Sequence, residues 1–223
     1  MHRSVYSIVL SDDVVREVDK LAYSLKTSRS ALINQILADY VSYSTPEQRM
    51  RDVFSQMEQM LHGLDSFQFL NQPSDSMVSI RSALRYKYNP TIRYSVELYR
   101  GSFPLIGALK VSFRTQNQQL IQSLHSFFSV WMAVENKYAA SAFPQGRVPC
   151  GVEDGRYTRE FLLPSGETEE PSSESIAQAI SQYIRLFDAS LKTYFSHLDA
   201  PQEALPSIES SYRKARSQGL AKI

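Results

Sequence analysis

Cysteine is nearly absent: the 223 residues include one, Cys150. A single thiol forms no intrachain disulfide and no cysteine zinc knuckle. Histidine is scarce too. His2, His62, His125 and His197 are the four present, and none has the spacing of a metal motif. No uncharged apolar stretch approaches the length of a membrane span, and residues 1–10 lack the apolar block of a secretory leader. An excess of one charge sign is missing as well, since the formal net charge is +1. The P-loop, the dinucleotide glycine fingerprint, G-x-S-x-G and H-E-x-x-H are all lacking. These absences lead us to expect a cytoplasmic protein that is not an enzyme, touches no membrane, and uses neither metal nor cofactor.

What is present reads as a folded chain, with 43% hydrophobic residues. Charge is uneven along it. Residues 1–45 balance five Lys/Arg against five Asp/Glu, whereas residues 77–115 hold seven Lys/Arg against the single acid Glu97. Residues 46–76 and 157–199 are net acidic.

The N-terminal stretch Arg3–Leu10 (RSVYSIVL) alternates. Tyr6, Ile8 and Leu10 fall on one face of a strand, and Arg3, Val5, Ser7 and Val9 on the other. Ser11 is suited to cap a helix, and Asp12 and Asp13 suit its first turn, where free N–H groups favour negative charge. Val14, Val15, Val18, Leu21, Ala22 and Leu25 then follow helical spacing. Lys26-Thr27 interrupts, and Ser28 is placed to cap a second helix bearing Leu32, Ile33, Ile36, Leu37, Tyr40 and Val41. A lone strand needs a partner, and so short a unit does not bury its own core. Two copies pairing strands and interlocking helices satisfy both needs.

The strand SVYSIVLS, the helix DDVVREVDKLAYSL and the helix start TSRSALINQILADY resemble the ribbon-helix-helix family of the Arc, MetJ and CopG type. The resemblance covers residues 3–43 and implies a homodimer in which the paired ribbon enters the major groove of duplex DNA. It implies that Arg3, Val5, Ser7 and Val9 face the bases, that Ser28, Arg29 and Ser30 grip a phosphate, and that Tyr6, Ile8 and Leu10 form the dimer core. Val5 and Val9 offer no hydrogen bonds, so Arg3 and Ser7 would supply the polar readout. Lys26 stands where relatives often carry glycine, so a left-handed backbone is expected there. The alternative is that the ribbon only dimerises.

The remainder predicts an α+β fold. A helix over 46–62 and a polar loop to residue 76 read as a linker. Alternation over 78–88, 92–99 and 109–114 predicts an antiparallel meander, and Tyr157–Leu163 a fourth strand. Apolar stripes predict long helices from about Gln116 and over 174–198, which would cover the sheet. Residues 143–156 read as a loop, and the chain after Pro201 as a weakly helical tail. The expected division is thus 1–44, a ribbon-helix-helix dimerisation module; 45–76, the linker; 77–199, a domain of a small antiparallel sheet and two long helices; and 200–223, the tail.

The strand alternation places Arg81, Arg85, Lys87, Arg93, Lys110 and Arg114 on the solvent face of the sheet, a candidate anionic-ligand face. The competing possibility is that the acidic segments fold over it. Cys150, in Val148-Pro149-Cys150-Gly151, has no histidine nearby and reads as structural. The functional expectation is a dimeric, sequence-specific DNA-binding protein, a bacterial-type transcriptional regulator or a mobile-element or plasmid protein. Its second domain would assemble dimers or sense a ligand or partner. The rival is an accessory protein whose ribbon only dimerises and whose basic sheet face binds RNA, single-stranded nucleic acid or a protein.

Overall fold

The computed structural model describes residues 6–41, 43–63, 66–70, 74–87, 89–101, 104–163 and 171–218. The chain divides into two compact units, Met1–Arg49 and Met50–Ile223.

In the first unit, α1 spans Asp12–Ser24 and α2 spans Arg29–Tyr40. Both expected caps are in place. The Ser11 hydroxyl accepts the Val14 N–H at 3.5 Å, and the Ser28 hydroxyl accepts the Ala31 N–H at 3.2 Å. Lys26 has φ 53°, the left-handed conformation expected of it. The Thr27 and Lys26 N–H groups return to the carbonyls of Ala22 and Tyr23, which closes the helix in a Schellman turn. A side chain in that conformation costs roughly 1–2 kcal/mol. Residues 6–10 lie in neither helix nor strand in this single chain.

The second unit is an α+β domain. Helix α3, Pro46–Leu61, which belongs to this unit from Met50 on, starts on a cap in which the Thr45 hydroxyl accepts the Gln48 N–H at 3.1 Å. Met50, Val53, Met57 and Leu61 enter the main core, so the segment expected as a linker is part of the domain. The strands β1 Gln68–Leu70, β2 Met77–Ala83, β3 Thr91–Leu98, β4 Leu105–Phe113, β5 Cys150–Glu153 and β6 Arg156–Leu162 form one antiparallel sheet, in the order β1-β2-β3-β4-β6-β5. Helices α4, Gln118–Ala139, and α5, Ser173–Ser196, pack against its apolar face. Phe187 of α5 is the hub, with its ring 5.4 Å from Phe127, 5.2 Å from Trp131 and 5.0 Å from Tyr157.

Four expectations are corrected. Strand β2 ends at Ala83 rather than Tyr88, because the Leu84 N–H turns to bond the Pro90 carbonyl and Asn89 takes φ 41°. The presumed loop 143–156 contains β5, joined to β6 by Asp154-Gly155, both at positive φ. Gln68–Leu70 adds an unexpected edge strand. The presumed tail is helix α6, Pro201–Ser217, whose Ala204, Ile208 and Tyr212 are buried, with Tyr212 edge-on to Trp131.

Candidate functional site

Three places in the chain combine exposed or buried chemistry with defined geometry, and each belongs to one unit. In the first unit, the groove-facing set falls partly outside the described residues, since Arg3 and Val5 are not among them. Ser7 and Val9 are described and exposed, with Val9 fully open to solvent. The dimer-core candidates Tyr6, Ile8 and Leu10 are exposed as well, at 83%, 56% and 38%.

At the start of α2 the hydroxyl of Ser28 is spent on its own helix. Helix geometry still leaves the first-turn N–H groups without intrahelical acceptors. Arg29 is held by Asp19 of α1 through a two-pronged contact, Nε to Oδ1 at 2.6 Å and Nη2 to Oδ2 at 2.5 Å. The pairing lowers the Asp19 carboxyl below its usual range and raises the guanidinium. A phosphate at Arg29 would therefore compete with an intramolecular carboxylate. Ser30 is exposed beside it.

On the outer face of the sheet, the register arranges side chains in rows across the strands. One row is Arg81, Arg93 and Ser112. The next is Ser79, Ser95, Lys110 and Thr158, and the third is Met77, Glu97, Ala108 and Glu160. All six basic candidates are exposed, but they are not equivalent. Lys110 reaches Glu97 at 3.5 Å. Arg85 and Lys87 lie in the turn after β2, not on a strand face as expected. Arg114 directly follows β4. The helices lie on the opposite face, so acidic residues of α5 do not cover this one.

The third place was not foreseen. Glu135 of α4 is fully buried, and its carboxylate gathers three donors. Tyr157 and Tyr183 donate to Oε2 at 2.5 and 3.0 Å, and Arg159 Nε donates to Oε1 at 3.3 Å. Trp131 Nε1 in turn donates to the Tyr183 hydroxyl at 3.0 Å. The Arg159 guanidinium also lies 5.0 Å over the Phe143 ring. Burial pushes the Tyr157 and Tyr183 hydroxyls well up, with the Glu135 charge adding to it. Cys150 sits opposite Arg159 across β5 and β6. Burial, then the Glu135 charge, raise its thiol to about 11, so it stays protonated at neutral pH and is a poor nucleophile. Helical spacing puts position 135 on the buried stripe, four residues after Trp131 and seven after Phe128, but it does not reveal the partner, a strand residue 24 positions away.

A smaller buried set joins Tyr94 to Asp188 at 2.8 Å and Asp188 to Lys192 at 2.6 Å. Among the described residues, no His/Cys/Asp/Glu group has the makings of a metal site, and no helix is long and apolar enough to cross a membrane. Comparison with protein-family models, with curated proteins and with solved structures gave no match.

Proposed function

We propose that the chain is a homodimeric, sequence-specific duplex-DNA-binding protein, a transcriptional regulator or mobile-element protein. In this reading the first unit is a ribbon-helix-helix module, and the second assembles dimers or senses a ligand or partner. One observation carries it. Among the described residues, 14 large hydrophobic side chains stand exposed, of which 13 lie between Tyr6 and Tyr43 and one, Val152, in the second unit. Within α1 and α2 the buried apolar residues are just Ala22, Leu32 and Ala38. So much apolar surface on so small a unit marks a face made to be covered. The occupant we assign is a second copy, because residues 6–10 keep strand alternation and the two capped helices have the order the ribbon-helix-helix dimer needs.

A second reading, in which this unit dimerises without reading DNA, is favoured by the Arg29–Asp19 pair, which occupies the residue meant for phosphate.

Light scattering and duplex binding on the full chain decide between them. The wild type is expected to be a dimer, and Ile8→Asp a monomer that no longer prefers one duplex sequence over another. Ile8 is exposed in the single chain, so the charge harms only an interface. Arg29→Ala is expected to weaken all duplexes alike and to lower the salt slope by about one. Ser7→Ala is expected to alter which sequence is preferred. A monomeric wild type overturns the proposal. A dimer in which neither Arg29→Ala nor Ser7→Ala changes binding leaves the second reading.

A further inference from the structure

The outer sheet face concentrates its charge at one end. Arg81 and Arg93 are direct partners across β2 and β3. Arg114 follows β4 at the same end, since Phe113 pairs with Ile92. Arg156 opens β6 there too, next to Tyr157, which pairs with Val111, and it stands opposite the exposed Glu153 of β5, the one acid in this row. Sequence periodicity had not singled out Arg156. All four are exposed, and among the described residues none of them takes part in an ion pair. Arg85 extends the group into the β2–β3 turn. Glu97 and Glu160 stand in the row at the other end, two rows away, which is roughly 13 Å at strand spacing.

Like charges set directly opposite each other across two strands repel and weaken the pairing. An arriving anion removes that repulsion. Guanidinium groups present flat forks of donors that match phosphate oxygens better than ammonium groups do. The side chains beside them include Ser95, Ser112 and Thr91, short enough to let a broad surface approach, while Ser79 in the next row is buried. Proteins that hold single strands add aromatic platforms on which bases stack. The described residues of this end offer none on the outer face.

We propose that this end of the sheet, centred on Arg81 and Arg93 and flanked by Arg114 and Arg156, grips the phosphate backbone of duplex DNA without reading its sequence. The contact belongs to the second unit and does not rest on the ribbon.

The test uses the full chain and fluorescently labelled duplexes of unrelated sequence, titrated at several salt concentrations. The double variant Arg81→Glu/Arg93→Glu is expected to bind every duplex at least about tenfold more weakly, with a salt slope smaller by about two. Arg213→Glu/Lys214→Glu, an equal charge change on exposed α6 positions, serves as the control and is expected to change binding far less. Thermal unfolding of both variants is expected to match wild type. A loss no greater than the control's overturns the proposal. So does a loss confined to single-stranded DNA, to RNA or to polyglutamate, the last of which would mark an acidic protein as the partner. Repeating the double change in the Ile8→Asp background separates the two assignments. Residual duplex affinity that still depends on Arg81 and Arg93 supports the sheet contact even where the ribbon reading fails. Sensitivity to Arg29→Ala alone supports the ribbon and overturns the sheet.

Discussion

Replacing Glu135 by Ala is expected to destabilise the second unit by about 3–5 kcal/mol, the range for removing one partner of a buried ion pair. The Arg159 side chain is 4% exposed and would lose the buried carboxylate to which its Nε donates. Tyr157 and Tyr183 would lose the acceptor they share. Trp131, the chain's one tryptophan, bonds to Tyr183, so its fluorescence reports unfolding of this network directly. Urea titration of the variant checks the magnitude. Changing Glu135 and Arg159 together to Met is expected to recover much of the loss, because both members of the buried pair are removed at once. A cost under about 1 kcal/mol for the single change would show that the pair does not hold the domain together.

The same titration carries a pH signature. Tyr94, Tyr157 and Tyr183 keep their protons in the folded state well above the ordinary value of 10.0, chiefly through burial. Above that value the unfolded chain releases protons that the folded chain retains. The unfolded state then binds fewer protons, and stability falls as pH rises. Each tyrosine adds at most about 1.4 kcal/mol per pH unit to that fall. Cys150, whose thiol is raised from 9.0 to about 11, adds a fall of the same sign at lower pH, so the urea midpoint should begin to decline near pH 9 and drop steeply past about 10.

Gly107→Ala is expected to be comparably severe. A methyl group there would sit 2.2 Å from the backbone oxygen of Glu97, a distance that real Cβ atoms do not show. Gly107 pairs with Leu98 at the point where the β4–β6 register shifts, so β3 and β4 would have to part. We expect a loss of about 3 kcal/mol or more, seen as a melting temperature lower by roughly 6–12 °C. Gly151→Ala is the matched comparison. Its methyl would meet nothing nearer than the Thr158 hydroxyl at 3.9 Å, and it should melt close to wild type. Equal melting of the two variants would mean that β4 accommodates the methyl group.

Features written into adjacent residues were legible before any coordinates. Ser11 and Ser28 cap because a hydroxyl three positions ahead of an N–H is a local fact, and Lys26 turns left because the helix must stop there. The alternation of β3 and the stripes of α4 and α5 likewise follow from period alone. What escaped notice depends on distant partners. Helix α6 carries Pro206 in its interior and four serines, and it is held by Ala204, Ile208 and Tyr212 inside the core. Strand β5 is masked in the sequence by Pro149 and Gly151, and its one local signature is the hairpin turn Asp154-Gly155. The basic face was half legible. Alternation placed Arg81 and Arg93 correctly, but it ran on through Arg85 and Lys87 into a turn. Nothing in the sequence joins Glu135 to Arg159, because their meeting is created by the way α4 lies on β6.

The sheet is flanked by its shortest strands. β1 has three residues and β5 four, while the interior strands β2, β3, β4 and β6 have seven to nine. A free strand edge is a template on which a foreign strand can grow, and its hazard rises with the run of unpaired amides it displays. Among the described residues that run is three residues on β1 and four on β5, too short to seed a continuous cross-molecule ladder. Crowded copies of the second unit should accordingly stay apart at concentrations where a sheet with long borders would begin to form fibres.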